Sequence, residues 1–213
     1  MSNRSSRQAR IPWYQPRVAD LREQLLDAAQ DVLRAKGIMG ATTREIARAA
    51  GVADGTLYNH FRTREELFMA LFDRVLPLVK DTLSDLPMRV GQGDVAATLA
   101  EVLVAALGFF REAVPLFASV ISDPALNASY RAKMGAQGRG PHKAYAWVEK
   151  YLQAEQRMHR VGDAVDPSTT AQQIIAIAFF QAFVERFLAT TPSAAADKRW
   201  AAAQVAALVA DWA

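Results

Sequence analysis

The sequence has 213 residues, of which 51% are apolar and 22% charged, a balance typical of a globular protein with a substantial core and not of a disordered chain. It contains no cysteine, which excludes a disulfide framework, a thiolate nucleophile and a cysteine-ligated zinc site. The formal net charge is +3, but residues 1–64 hold eleven Lys or Arg against six Asp or Glu, so the remainder has a net charge of −2. This asymmetry favours a polyanionic partner at one end of the chain.

Residues 1–17 are polar and rich in arginine, and they show no periodicity. They have no apolar core of the kind that a signal peptide requires, and we expect no membrane span, because no run of 18 apolar residues occurs. The sequence therefore predicts a cytoplasmic protein with no membrane partner. The segment itself is interpreted as a basic, disordered arm; the alternative is an arm that places its arginines along DNA phosphates or in a minor groove.

Helical periodicity begins at Val18, and an apolar stripe continues to Lys36, where Gly37 supplies a stop. The stretch 42–61, TTREIARAAGVADGTLYNHF, then predicts two short helices joined by a turn at Gly51. Three helices with short links predict a compact head.

The details of this stretch indicate how each helix is bounded. Thr42 and Glu45 have the spacing of a capping box, which predicts the start of the first helix. Gly51 suits the left-handed conformation that ends it. Leu57 and Phe61 lie four residues apart on the inward side of the second helix.

The outward side of the second helix carries hydroxyl, phenol, amide and imidazole groups, from Thr56, Tyr58, Asn59 and His60. Groups of this kind on a short helix are what contact with a DNA groove requires. The pattern predicts a helix-turn-helix; the alternative is a helical hairpin with a solvated face.

The rest of the sequence also predicts helices. Thr63 and Glu66 repeat the capping-box spacing, and Pro77 should end or kink the helix that follows them. Periodicity is lost over 85–93, which predicts a boundary. The later helices are expected at 94–111, 115–121, 124–134, 142–159, 168–189 and from the turn at 190–193 to about 212, with a loop at 135–141. Because no strand alternation or repeat appears, the predicted fold class is all-α.

No constellation of residues predicts an enzyme. The three histidines, His60, His142 and His159, lack a metal-binding or carboxylate-paired pattern, and no phosphate-binding glycine motif occurs. We therefore expect no catalytic residues, no metal and no cofactor.

The segment TTREIARAAGVADGTLYNHFRTREELF, residues 42–68, together with the preceding helix ending in LRAKG, resembles the TetR family of bacterial transcriptional regulators. After the arm at 1–17, the resemblance implies a three-helix DNA-binding domain at 18–80 and a ligand-binding and dimerisation domain at 81–213. It further implies a ligand-responsive repressor that binds a near-palindromic double-stranded DNA operator as a homodimer and leaves it when a small effector binds. The resemblance rests on the first third of the chain, because the remainder agrees only in the number, order and lengths of its helices.

The resemblance also places roles on individual residues. Thr43, Tyr58, His60 and Arg64 match phosphate-contacting positions, and phosphate contacts fix register without reading sequence. Arg44 matches a position near base edges, where its fork suits guanine. The exposed turn and face of the reading helix carry Gly55, Thr56 and Asn59. Tyr58 is equally well interpreted as a partly buried packing residue.

Asp54 departs from the family pattern, in which this position is often basic or neutral and position 53, here Ala53, is often Ser or Thr. We interpret Asp54 as the cap of the reading helix, where the hydrogen bond and the helix dipole both favour a carboxylate. The alternative is acceptance of a hydrogen bond from a cytosine amine.

Two further sites are implied for the C-terminal helices. An effector pocket of apolar walls would suit a hydrophobic or aromatic molecule. The helices at about 142–160 and 168–189 carry more aromatic residues than one face needs, and two-fold packing would bury the excess. Most of these aromatics are interpreted as core or interface residues rather than ligand contacts. The candidates for lining the pocket are Phe109, Phe110, Phe117, Met134, Trp147 and Tyr151. The candidates for the dimer interface are Phe179, Phe180, Phe183 and Phe187.

A second class of protein fits the same head, namely a helical architectural DNA-binder without ligand control. The two differ in specificity, because a regulator should prefer its site by about 10³ or more over random DNA.

Overall fold

The computed structural model of the chain describes residues 18–137, 145–190, 192–210 and 212; the predicted arm at 1–17 lies outside this part. In these residues the regular structure consists of eleven helices and no strand, which confirms the predicted all-α class. The chain divides into two compact units, one ending at Arg62 and the other beginning at Thr63.

The first unit is the predicted three-helix head. The side chains of Leu25, Leu33, Ile46, Leu57 and Phe61 are buried in it. Its helices are α1 (Val18–Gly40), α2 (Thr43–Ala49) and α3 (Asp54–His60).

Gly37 interrupts α1 with φ of 64°, where the sequence predicted a stop. This conformation suits glycine because a side chain there would be strained. Helical backbone resumes beyond it as far as Gly40, so the element is longer than the predicted 18–36.

The second unit is larger and contains eight helices. Five of them begin where a Thr, Asp or Ser side chain accepts a hydrogen bond from a backbone N–H of the first turn, which explains why their starts could be read from the sequence. These capping residues are Thr63, Asp94, Asp123, Asp166 and Ser193. The helices are α4 (Arg64–Val75), α5 (Pro77–Ser84), α6 (Leu86–Arg89), α7 (Val95–Ser122), α8 (Pro124–Ala136), α9 (Ala146–Arg157), α10 (Pro167–Leu188) and α11 (Ala194–Leu208).

Helix α7 corrects the prediction that a separate segment starts at Pro115, because the helix runs through this residue. The proline removes one backbone donor, yet Ala113, Leu116 and Val120 on either side of it are buried, and their burial favours a continuous helix. The Ser119 hydroxyl donates to the Pro115 carbonyl at 2.8 Å.

Helix α7 also bears on the expectation that no segment of the chain could span a membrane. By length and composition it is apolar enough to cross a membrane, with a mean hydropathy of 1.6 over its most apolar window. In the structure it packs against α5, α10 and α11, and its buried residues join the core of the second unit.

The unit boundary falls before α4, whereas the sequence analysis grouped residues 18–80 as the DNA-binding domain. Helix α4 is grouped with the later helices because it packs on α5, α7 and α8. The extent of the DNA-binding domain remains a prediction. The predicted end of the helix before Pro77 is confirmed, since Pro77 is the first residue of α5.

Candidate nucleic-acid interface and apolar cavity

Helix α2 begins as the sequence predicted, but the capping box is only half formed. The Thr42 hydroxyl accepts a hydrogen bond from the Glu45 N–H at 3.2 Å. The Glu45 carboxylate, however, accepts hydrogen bonds from Arg48 at 2.8 and 3.1 Å and from Lys36. Glu45 therefore ties the end of α1 to α2.

These partners change the titration of Glu45. The hydrogen bond from Arg48, followed by that from Lys36, lowers the pKa of the Glu45 carboxyl to about 2. The carboxylate is therefore charged throughout the physiological range, and it pairs with two cations of the basic head.

The turn between α2 and α3 is closed by backbone hydrogen bonds around Gly51. Gly51 has φ of 70°, the left-handed conformation that the sequence predicted. The Val52 N–H donates to the Ala47 carbonyl at 3.0 Å, and the Gly51 N–H donates to the Arg48 carbonyl at 3.1 Å. This is the Schellman arrangement, which satisfies the last carbonyls of α2. The turn thus fixes where α3 starts.

Asp54 does not cap the reading helix, which corrects the favoured interpretation. The capping position is Ala53, without a side-chain hydrogen bond, and Asp54 is the first residue of α3. A carboxylate in the first turn is still favoured by the helix dipole. The Asp54 carboxylate lies 3.8 Å from Nε of Arg44, so it faces α2.

The outward side of α2 and α3 presents the predicted contact groups. The hydroxyls of Thr43 and Tyr58 are 3.1 Å apart, which joins α2 to α3. Tyr58 is 49% exposed, so about half of its surface lies against the protein and half is accessible. Arg44 is exposed. Asn59 and Gly55 are also exposed, and a Cβ built on Gly55 would meet no atom of the chain.

Thr56 and His60 are partly buried, at the edges of this face. Leu57 is fully buried on the opposite side of α3 and fixes its orientation. Within the first unit, the structure therefore places all the predicted contact residues on or beside one polar face.

Arg64 lies in the second unit, as the first residue of α4, and it has a protein partner. Its Nη1 donates to the Asp123 carboxylate at 2.7 Å, and its guanidinium lies 5.0 Å from the centre of the Phe68 ring. Asp123 is also the cap of α8. Hydrogen bonds from the backbone of Leu126 and from Arg64 lower the pKa of the Asp123 carboxyl. The phosphate contact expected of Arg64 remains a prediction, and its ion pair with Asp123 joins α4 to α8.

The second unit contains an apolar cavity of about 990 Å³. This volume is at the upper end of the range for small-molecule sites. Phe72, Phe117 and Tyr130 form an aromatic cluster in its wall, with ring centres 5.0–6.4 Å apart. Five of the six predicted lining residues contribute to this cavity: Phe109, Phe110, Phe117, Met134 and Trp147.

Tyr151, the sixth candidate, is not among the lining residues. Its side chain is 2% exposed and belongs to the core of the second unit, and burial raises the pKa of its hydroxyl to about 12. Phe179, assigned from the sequence to the dimer interface, lines the cavity and contacts Phe110 with ring centres 5.4 Å apart.

The polar groups of the cavity could not be identified from the sequence, because they are dispersed along the chain. Asp73, Lys80, Asn127, Arg131 and Gln172 come from four different helices. No local motif links them, and only the fold brings them to one cavity.

The other three aromatic residues assigned to the dimer interface are exposed on α10. Phe180 is 66% exposed, Phe183 43% and Phe187 79%, and the rings of Phe183 and Phe187 contact each other at 5.4 Å. In the described part of the chain, no group of three or more His, Asp or Glu side chains is placed to hold a metal ion.

The family described as bacterial regulatory proteins, tetR family, matches residues 25–71, which include α2, the turn and α3. The fatty acid metabolism regulator protein of Bacillus subtilis (strain 168) is 41% identical over 49 residues, covering 23% of this chain and 25% of that protein. The chain matches its curated relatives over between about a fifth and about half of their own length. These sequence similarities are therefore confined to the N-terminal region.

Solved structures extend the similarity to the whole fold. A TetR-family transcriptional regulator from Mesorhizobium loti superposes with a TM-score of 0.66 at 20% identity, over 92% of this chain and 98% of that one. The regulator FadR from Bacillus subtilis, in complex with stearoyl-CoA, gives a TM-score of 0.62 at 16% identity, over 86% and 96%. The helix-turn-helix region thus matches the tetR family of bacterial regulatory proteins, and the described chain has the same fold as these solved structures.

Proposed function

We propose that this protein is a ligand-responsive repressor that binds a near-palindromic operator as a homodimer and leaves it when a small hydrophobic or aromatic effector binds. The observation that carries the proposal is the exposed polar face of α3. Leu57 and Phe61 anchor its other side, and the closed turn at Gly51 fixes its start. We propose that the protein binds and releases its operator in the cytoplasm, where the DNA is found.

The roles on the DNA follow from the chemistry of the face. Hydroxyl, phenol and imidazole groups of Thr43, Tyr58 and His60 suit phosphate contacts, as does the guanidinium of Arg64. Arg44, which is 87% exposed at its side chain, suits a guanine edge. Thr56 and Asn59 supply further groups for base edges. The open space at Gly55 would allow the backbone to approach the DNA closely.

Dimerisation is supported by a stripe of exposed residues on α10. Gln173, Ala176, Phe180, Phe183 and Phe187 are all exposed and follow one another at intervals of three, four, three and four residues. This spacing keeps one face of a helix towards a partner helix. A second copy of the same face, related by a two-fold axis, would bury the three aromatic rings.

An effector site is supported by the cavity in the second unit. Its aromatic walls and its volume of about 990 Å³ suit a ligand with a large apolar part. The FadR structure contains stearoyl-CoA, which agrees with an apolar effector for a protein of this fold.

The experiment that tests the proposal is selection of binding sites from random DNA, followed by footprinting. We expect a two-fold symmetric site whose half-sites are separated by one DNA turn, roughly 34–36 Å, or a multiple of it. The selected site should bind about 10³-fold or more tightly than random DNA. A sequence-indifferent interaction would favour an architectural DNA-binder, and a single asymmetric half-site would exclude the dimeric arrangement.

A further inference from the structure

The cavity carries an uncompensated positive charge. Three charged residues line it: Asp73, Lys80 and Arg131. The Asp73 carboxylate is paired with the Lys133 ammonium at 2.5 Å, which neutralises it within the protein. Within the described part of the chain, none of the ion pairs involves Lys80 or Arg131, so both cations are available to a ligand.

The exposure of the lining residues separates the cavity into a mouth and an interior. Lys80, Arg131 and Ile121 are exposed, which places them towards solvent. Ala106 and Phe110 are buried and belong to the apolar core. Long cationic side chains keep their charged ends in water while their stems lie on apolar surface. The site is therefore polar and cationic at the mouth and apolar inside.

We propose that the effector is an amphiphile with an apolar body and one anionic head group, a carboxylate or a phosphate, which pairs with Lys80 and Arg131 at the mouth. This inference rests on the proposed role of the cavity as the effector site. A neutral ligand gains nothing from the two solvated cations, whereas an anionic head gains charge-assisted hydrogen bonds. Asn127, one helical turn before Arg131 on α8, also lines the cavity and adds an amide donor.

The test uses the full chain and four probes of equal chain length: dodecanoate, dodecyl phosphate, dodecanol and dodecyltrimethylammonium, each below its critical micelle concentration. Binding is followed by the fluorescence of Trp147, which lines the cavity. The chain has four tryptophans, so Trp147→Phe identifies the part of the signal that comes from the cavity. We expect at least one of the two anions to bind about tenfold more tightly than dodecanol, and the cation to bind most weakly. Which anion binds more tightly distinguishes a carboxylate from a phosphate head.

The variant Lys80→Gln with Arg131→Gln should lose this advantage of about tenfold for the anion and keep its affinity for dodecanol. The matched control is Lys150→Gln with Arg157→Gln, which removes one Lys and one Arg from exposed positions of α9 that do not line the cavity. The control should bind all four probes as the parent protein does. Higher ionic strength should weaken binding of the anion and leave that of the alcohol unchanged.

Two other results separate failure of this inference from failure of the effector site. Equal affinities for dodecanol and both anions, or an unchanged anion affinity in the Lys80 and Arg131 variant, would overturn the anionic head while the apolar site stands. If none of the four probes changes the Trp147 signal, the cavity is not an effector site for amphiphiles and the inference fails with it.

Discussion

At the scale of single residues, the proposed reading role of Arg44 can be tested directly. Its ion pair with Asp54 is exposed and 3.8 Å long, and pairs of this kind contribute little to stability, so DNA can replace it. We expect Arg44→Ala to relax preference at one base pair of the operator and to cost about 1–3 kcal/mol of binding free energy. The measurement is binding to a set of operators in which each base pair is replaced in turn. A uniform loss over the whole set would contradict a reading role.

Arg64 is expected to behave differently, because phosphate contacts carry no sequence information. Arg64→Ala should weaken binding to all sequences and reduce the slope of log affinity against log salt by about one. Its ion pair with Asp123 offers a matched control. Asp123→Asn keeps a good capping residue on α8 but removes the charge that Arg64 pairs with. If Arg64 contacts phosphate directly, Asp123→Asn should retain the salt slope; an equal loss of slope in both variants would indicate that Arg64 acts through α8.

Glu45 makes the head sensitive to acid. The pKa of its carboxyl is lowered from 4.5 to about 2 in the folded protein, so the charged form stabilises the fold above pH 4.5, and this contribution is lost as the pH falls towards 2. We therefore expect Glu45→Gln to be less stable than the parent at pH 7, with the difference vanishing near pH 2. Urea denaturation across this range measures it. The hydrogen bond from Arg48 is the largest cause of the lowered pKa, so in Arg48→Gln the stabilisation by Glu45 should be lost at a higher pH than in the parent. If stability depends on pH identically in the parent and in Glu45→Gln, Glu45 does not make this contribution.

At the scale of helices, Arg111 joins three elements of the second unit. Its guanidinium on α7 donates to both oxygens of Asp197 on α11, at 2.6 and 2.7 Å, and to both oxygens of Glu185 on α10, at 2.7 and 3.0 Å. These hydrogen bonds, first to Asp197 and then to Glu185, raise the pKa of Arg111. Both carboxylates are buried, where an uncompensated charge is costly, and the guanidinium compensates their charge.

We expect Arg111→Met to reduce the free energy of unfolding by about 3–5 kcal/mol, since it leaves two buried carboxylates without their cationic partner. Urea denaturation of the parent and the variant measures the loss. Combining Arg111→Met with Glu185→Gln and Asp197→Asn removes all three charges and should recover most of it. A deficit that persists undiminished in the triple variant would indicate lost packing instead.

The limits of each helix show what could be predicted from the sequence. The caps at Thr42 and Thr63 use side chains next to the backbone they satisfy, so local spacing was enough to predict them. Pro115 was misread because its local effect is to end a helix, while the burial that keeps α7 continuous comes from residues distant in sequence. Asp54 was assigned as a cap by chemistry that suits it, but the turn at Gly51 places Ala53 at that position.

The site was predictable to the extent that it is local. Residues of α2 and α3 that face outward follow from helical spacing and two buried anchors, so the polar face could be placed in advance. The cavity could be predicted only in its aromatic residues, because a large apolar side chain suits a pocket, a core and an interface equally. That ambiguity explains two misassignments. Tyr151 was assigned to the pocket but lies in the core, and Phe179 was assigned to the dimer interface but lines the cavity. Lys80 and Arg131 are too far apart in sequence for any motif to join them.

At the scale of the whole molecule, the proposed dimer links the exposed face of α10 to DNA affinity. A palindromic operator offers two half-sites, and joining two heads makes binding of the second intramolecular. An isolated head would lack this advantage. The aromatic residues of α10 therefore bear on DNA binding although they belong to the second unit.

We expect Phe180→Asp with Phe187→Asp to convert a dimer into a monomer of 23.4 kDa and to weaken operator binding by about 10²-fold or more. Both side chains are largely exposed within one chain, so the carboxylates should leave the fold of the monomer intact while two facing copies would repel each other. Light scattering after gel filtration gives the mass, and circular dichroism checks the helices.

The matched control is Met88→Asp, which places a carboxylate at another exposed apolar position, on α6. This variant should remain dimeric, with its operator affinity unchanged. A double variant that stays dimeric and binds the operator as tightly as the parent would show that the copies associate through another surface.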